Sequence, residues 1–304
     1  MSAVSNRGMG WLPDVPSMKD YTKDNPKVQE LLKSTAFGSG AKAGSAQAVR
    51  SQGTGASAAA ARAMAASPVV DLRPFCSPIV DQGQLGSCTA NAAAGLVEYF
   101  EKRAFGSFIP ASRLFIYKAT RDLLGMTGDT GAYLRSTMGA LALFGAPPEQ
   151  YLPYDVSKFD VEPSAFCYAF GANFQALQYF RLDPSPLGGA EVLQNIKTSL
   201  DGGFPSMFGF PVYDEYMNIP ANGLVAYPSA NSRLYGGHAN DAVGYDDNLM
   251  IGPDKGALLV RNSWGTGWGL NGYAWLSYKY VTEQLAVDWW SIVEARWVNT
   301  GNFS

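Results

Sequence analysis

Histidine occurs once in these 304 residues and cysteine three times, and each scarcity excludes something. One histidine and three scattered cysteines (Cys76, Cys88, Cys167) supply no ligand pair at CxxC or HxxxH spacing, so no metal site is expected. A disulfide framework is excluded too. Only Cys76 and Cys167 could pair without consuming Cys88, and the sequence leaves open whether they do. With no run of about eighteen apolar residues, there is no reason to expect a membrane span or a membrane partner. The opening MSAVSNRGMGWLPDVP has one arginine and no apolar block behind it. No secretory signal is therefore visible, and the location stays open between cytoplasm and export by another route. Net charge is small, −3, which gives no electrostatic footprint for nucleic acid.

Apolar residues make up 47% of the chain and aromatics 13%, enough for a sizeable core. They are unevenly spread. From Gly38 to Ser67 the text is nearly all Ala, Gly and Ser, which cannot pack a core and reads as a flexible tether. Ahead of it, residues 1–37 form a short segment carrying Trp11, Leu12, Val15, Tyr21, Val28, Leu31 and Leu32; after it, residues 68–304 form the folded body. Charge divides at the same place. Residues 1–67 hold 8 basic and 4 acidic side chains, a balance of +4, and the rest hold 15 and 22, a balance of −7.

Within the body the first half reads as helices: CTANAAAGLVEYFEKRAF, RLFIYKATRDLLG behind a proline, and AYLRSTMGALALFG. A further helix, AEVLQNIKTSL, stops at Gly202 and Gly203. Strand-like runs follow: FPSMFGFPV, HANDAVGY, GALLVRNSW, GYAWLSYKYV and SIVEARWV. Helices followed by strands indicate an α+β fold of two lobes, the helical one over about residues 88–170 and the β lobe over about 200–304. Clefts between lobes are usual places for small sites. In DDNLMIGPDKG, Asp246, Asp247 and Asp254 read as a polar hairpin loop rather than a cation site.

Cys88 stands out by position. In DQGQLGSCTANA it opens the first helix, on which Ala93, Leu96, Val97 and Phe100 form an apolar stripe with Glu98, Glu101 and Lys102 mostly off it. A helix N-terminus favours negative charge, so a thiol there loses its proton readily. A nucleophilic cysteine needs a base, and the only histidine, His238, sits at the mouth of a strand in YGGHANDAVGY. Cys88 is therefore expected to be largely thiolate, paired with imidazolium, at neutral pH. Asn262 follows a later strand in VRNSWGTGWGLNGY.

Gln82, the GSC of Cys88, HANDAVGY and NSWGTGWGLNGY, in that order, resemble the papain-like cysteine peptidases over roughly residues 69–304, in particular their bacterial xylellain-type branch. The resemblance implies a papain-like two-lobed fold with the site in the cleft between a helical lobe and a β-sheet or barrel lobe. It implies an endopeptidase acting on proteins or peptides without a cofactor. Cys88 would be the nucleophile, His238 the general base and acid, and Asn262 the group that orients the imidazole under the cover of Trp264. Gln82 would help hold the oxyanion. Gly131 and Ala132 would pair with substrate backbone. Tyr133 would wall a side-chain pocket whose far side comes from around Met207 to Phe210, Gly209 among them, and Gly237 and Trp264 would also contact substrate. Acyl transfer, exopeptidase action and an inactive binding scaffold are the alternatives. The chain departs from the family at Thr89, where an aromatic residue is usual, and at Gly237. It also departs at Leu85 and Asp129, which replace both ends of a common disulfide. The N-terminal segment lacks the long helical pattern of the family's pro-segments, yet its apolar side chains and positive charge lead us to expect that it docks on the cleft and suppresses activity.

Overall fold

The structure is a computed structural model that describes residues 7–34, 67–176 and 178–295; the tether expected from Gly38 lies outside them except for Ser67. The N-terminal segment contributes one helix, α1 (Pro26–Ser34), and the body begins with a short strand, β1 (Val69–Asp71). Three helices then form the first lobe: α2 (Cys88–Phe105), α3 (Arg113–Leu123) and α4 (Leu134–Phe144), followed by the short α5 (Ala165–Gly171). The expected starts and stops hold. Helix α2 ends at Gly106 in the left-handed region, α3 starts on Ser112, whose side chain accepts from the Phe115 N–H, and α4 stops at Gly145.

After β2 (Gln178–Arg181) and α6 (Gly189–Asp201) come β3 (Ser206–Tyr213), the single turn α7 (Asp214–Met217), β4 (Leu224–Val225), β5 (Leu234–Ile251), β6 (Asp254–Arg261) and β7 (Tyr273–Ser277). The turn α8 (Lys279–Thr282) and β8 (Val287–Glu294) complete the described elements. The strands form one sheet in the order β2-β8-β3-β5-β6-β7-β4, antiparallel except between β4 and β7, with β1 added beside the far half of β5. Two expectations shift. The strand in HANDAVGY extends through the acidic hairpin to Ile251, and GYAWLSYKYV leaves the sheet at Ser277 to make α8. The hairpin's Asp247 is engaged by Lys197 and accepts from the Tyr278 hydroxyl at 2.8 Å.

Helix α2 runs between the lobes, and this corrects the reading of its polar side. Glu98 and Glu101 are both buried, because each meets fixed donors: Glu98 accepts from the Ser77 hydroxyl and from the Ala111 N–H at 3.0 Å, and Glu101 accepts from the Ile109 N–H at 2.8 Å. The Arg261 guanidinium on β6 donates to Ser77 Oγ at 2.9 Å and lies 3.6 Å from Asp241 on β5. One buried polar cluster thus ties together α2, β5 and β6, which carry or lead into Cys88, His238 and Asn262, although Asp241 Oδ1 and Arg261 Nε within it make no hydrogen bond. Cys76 and Cys167 are buried and free, in separate apolar clusters, so the pairing left open by the sequence is not made.

Candidate active site

Cys88 is the first residue of α2, fully buried, with the backbone N–H groups of Gly10, Ala239, Thr89 and Cys88 itself facing its sulfur. His238 lies on β5 opposite Phe210 of β3, which brings its neighbour Ala239 to the thiol. Its Nε2 is 2.8 Å from Asn262 Oδ1, while its Nδ1 is buried with no hydrogen-bond partner. With Nε2–H donating to Asn262, Nδ1 carries the lone pair. Asn262 immediately follows β6, and its Oδ1 also accepts from the Ser263 N–H at 2.7 Å. Trp264 stacks on the imidazole with ring centres 4.5 Å apart and is itself buried, so it covers the His238–Asn262 bond.

Gln82 is fully buried and its amide is held at both ends. Oε1 accepts from Ser263 Oγ at 2.6 Å, and Nε2 donates to the Leu85 carbonyl at 2.9 Å and to the Gly8 carbonyl at 3.1 Å. That last acceptor belongs to the N-terminal segment, which crosses the site. Gly8 N–H donates to Gly83 O, Trp11 N–H to Gly237 O, Leu12 N–H to Ala132 O, and Ala132 N–H to Gly10 O at 2.7 Å. Trp11 and Ala132 form a parallel bridge. The approach is very close: a Cβ on Gly10 would lie 1.8 Å from Gly86 O, and one on Gly131, where φ is +75°, would lie 2.2 Å from Gly10 O. Neither contact is possible for a residue with a side chain.

Of the expected pocket residues, Gly131, Ala132, Gly209 and Gly237 all meet the segment, and the Trp11 ring lies against Gly209 and Gly237. Met207 is buried in β3, two positions from Gly209, and Tyr133 caps the start of α4. Arg7 reaches the other side of the site, 3.5 Å from Asp81 and over the Trp264 ring. The expected docking is uneven. Trp11 and Val28 are buried, whereas Val15 and Tyr21 remain exposed. Nor does the charge balance describe the contacts, since Asp14 and Asp20 bind Arg135, and Asp20 also lies 3.6 Å from Arg181. Acids of a net-positive segment thus meet arginines of a net-negative body, because ion pairs are decided by neighbours rather than totals.

Under this cover the expected ion pair is absent. Burial outweighs the surrounding N–H groups and pushes the Cys88 thiol up to about 11, and burial pulls His238 down to about 4 against the opposing bond to Asn262. Burial thus favours the neutral thiol and the neutral imidazole in the closed form, with the segment adding to the cover that Trp264 and Phe210 give the ring.

Sequence reasoning passed over Ser263, Gly8, Gly10 and Asp288, whose Oδ2 accepts from the Trp11 indole N–H at 3.2 Å. GMGW, with glycines at alternate positions before a tryptophan, was the legible signal for the two glycines; an acid inside the apolar run AVDWW was the signal for Asp288. Hydrogen bonds stand where the resemblance implies the missing bridge. Asp129 accepts from the Gly86 N–H at 3.0 and 3.1 Å and from the Tyr117 hydroxyl at 2.6 Å, joining the loop before Cys88 to the strip at Gly131. Among the described residues no group of three His, Cys, Asp or Glu is placed to hold a metal ion.

Residues 66–287 match the papain family of cysteine proteases. An uncharacterized peptidase C1-like protein of Acanthamoeba polyphaga mimivirus is 38% identical over 222 residues, covering 71% of this chain and 69% of that protein. A cathepsin B-like protein of Giardia intestinalis is 28% identical over 205 residues, 66% of this chain and 64% of its own length. Among solved structures, xylellain, a cysteine protease from Xylella fastidiosa, superposes with a TM-score of 0.71 at 28% identity, over 98% of this chain and 99% of that one. Two lobes with a buried cysteine at the start of the central helix, and a family match spanning both, lead to one assignment: the chain belongs to the papain family of cysteine proteases.

Proposed function

We propose that the chain is an endopeptidase working through a Cys88 thioester, held inactive by residues 7–34. The observation that carries this reading is the segment across the site: the Gly8 carbonyl accepts from the Gln82 amide, and two residues on the Gly10 N–H faces the Cys88 sulfur, which supports Gln82 as a donor to a substrate carbonyl. Once water or substrate replaces the segment, His238 Nδ1 accepts the thiol proton. The thiolate attacks the carbonyl carbon. Negative charge moves to the oxygen, where Gln82 Nε2–H and the Cys88 N–H receive it. His238 then gives its proton to the leaving amine, leaving a thioester. Water attacks in turn, with His238 taking and returning a proton, and the acid departs. Asn262 holds the ring and Trp264 keeps water from that bond.

The same geometry supports inhibition by residues 7–34 of the segment, with 38–67 as the tether. The segment runs from Trp264 past Gln82 towards Ala132, a parallel bridge that turns the Gly10 N–H, rather than a carbonyl carbon, to the sulfur. It fills the site without offering a bond to cut. The decisive assay is turnover of a fluorogenic dipeptide amide by full-length protein and by protein cut within residues 38–67, each before and after stoichiometric thiol alkylation. Turnover that rises on cutting and disappears on alkylation is expected. Turnover that survives alkylation would exclude Cys88, and equal rates before and after cutting would exclude inhibition.

A further inference from the structure

A carboxylate lies at the end of the slot that Trp11 fills. Asp288, fully buried on β8, places Oδ2 3.2 Å from the Trp11 indole Nε1, which donates to it. Its other oxygen accepts from Trp290 Nε1 at 2.8 Å and lies 3.2 Å from Arg181 Nη1. The slot is flat because two glycines face the ring: a Cβ on Gly209 would sit 1.9 Å from Trp11 Cε2, and one on Gly237 3.0 Å from Cε3. Gly10, whose N–H faces the Cys88 sulfur, is the neighbour of Trp11, and the Trp11 backbone is the one bridged to Ala132. A substrate paired to Ala132 would therefore send into this slot the side chain of the residue next to the one being acylated.

We infer that Asp288 determines specificity, and that the preferred substrates carry tryptophan at that position, the second residue before the scissile bond. This rests on the peptidase reading above. Phenylalanine fits the slot but leaves Oδ2 buried without its donor, and a site built around an N–H rejects the analogue that lacks it. A lysine or arginine finds the carboxylate already facing the Arg181 guanidinium, which is buried and paired with Asp183. An indole N–H brings the donor without a second cation.

The test uses full-length Trp11→Ala protein, in which the slot is vacated. Turnover of acyl-Trp-Arg, acyl-Phe-Arg and acyl-Arg-Arg aminocoumarin amides is compared, with Trp expected ahead of both others in kcat/KM by on the order of tenfold or more. Adding Asp288→Asn should bring the Trp/Phe ratio towards one, and adding Gly209→Ala should weaken both aromatic substrates by closing the slot. Binding of the same peptides to Trp11→Ala/Cys88→Ala protein, by calorimetry, reads the slot without chemistry. A tryptophan preference in binding with no turnover by the Cys88 protein would keep the slot and sink the peptidase reading. Turnover with Trp and Phe equal, or with Arg preferred, would overturn the role of Asp288 and keep the peptidase.

Discussion

Acidification should open the full-length protein once the thiol is removed, and the size of the effect follows from the covered histidine. In the closed form burial holds His238 at about 4, against 6.5 for a solvated imidazole. With Cys88 present, opening moves the thiol proton to the imidazole and the proton count is unchanged. In Cys88→Ala protein no thiolate offsets the imidazolium, so closing releases a proton that the open form keeps. Closure there is at full strength above pH 6.5 and is lost as pH falls towards 4. The difference of roughly 2.5 pH units sets an upper limit of about 3 kcal/mol, or close to tenfold in the open fraction per pH unit, since Trp264 also covers the ring. The assay is the rate at which an added protease cuts within residues 7–34 of Cys88→Ala protein between pH 4 and 8, divided by its rate on the free peptide of the same residues. The quotient removes the pH dependence of the added protease. It should rise below pH 6.5 in Cys88→Ala protein and stay level in Cys88→Ala/His238→Gln protein. A quotient independent of pH in Cys88→Ala protein would refute the claim that the segment closes over a neutral imidazole.

Gly10→Ala in the full chain should raise dipeptide-amide turnover to near that of the chain beginning at Pro68, because its Cβ would fall 1.8 Å from Gly86 O; an unchanged rate would mean that the segment does not close there. Gln82→Ala should lower kcat by on the order of a hundredfold with little change in KM, since its amide acts on charge that develops in the transition state; steady-state kinetics on the activated protein check the split. Asp129→Ala should cost about 1 kcal/mol of stability, read as a fall of a few degrees in the unfolding midpoint, through loss of its bonds to Gly86 and Tyr117.

The elements that build the cleft were legible because their signals are local. The apolar period of α2, the proline before α3 and the glycines after α4 and α6 each act within a few residues. The order of Gln82, Cys88, His238 and Asn262 was legible as a motif. What escaped depends on neighbours distant in sequence. Glu98 looked like a solvent-facing residue because its partners, Ser77 and Ala111, lie in other segments. Asp288 drew no reading because Trp11, 277 positions away, supplies its donor. The expected thiolate of Cys88 meets the same obstacle in the closed form. A helix N-terminus argues for it, whereas burial under neighbours distant in sequence, the segment among them, pushes the thiol up to about 11.

The segment and the body share more than the catalytic residues. The loop before Cys88 and the strip at Gly131 are joined twice in the closed form: once by Asp129 reaching Gly86, and once by the segment, which bonds Gly83 through Gly8 and Ala132 through Gly10 and Leu12. A disulfide between such loops would act mostly on the unfolded chain and would be indifferent to whether the site is open. A carboxylate accepting from one N–H and one hydroxyl is weaker, so these loops depend more on the segment than bridged loops would. Removing the segment then does two things at once. It exposes the sulfur and histidine to water, and it leaves the walls that flank them resting on Asp129 alone across that gap, free to adjust to a substrate backbone at Ala132. The hydrogen bonds proposed to inhibit the site are therefore also the ones that tie its loops together.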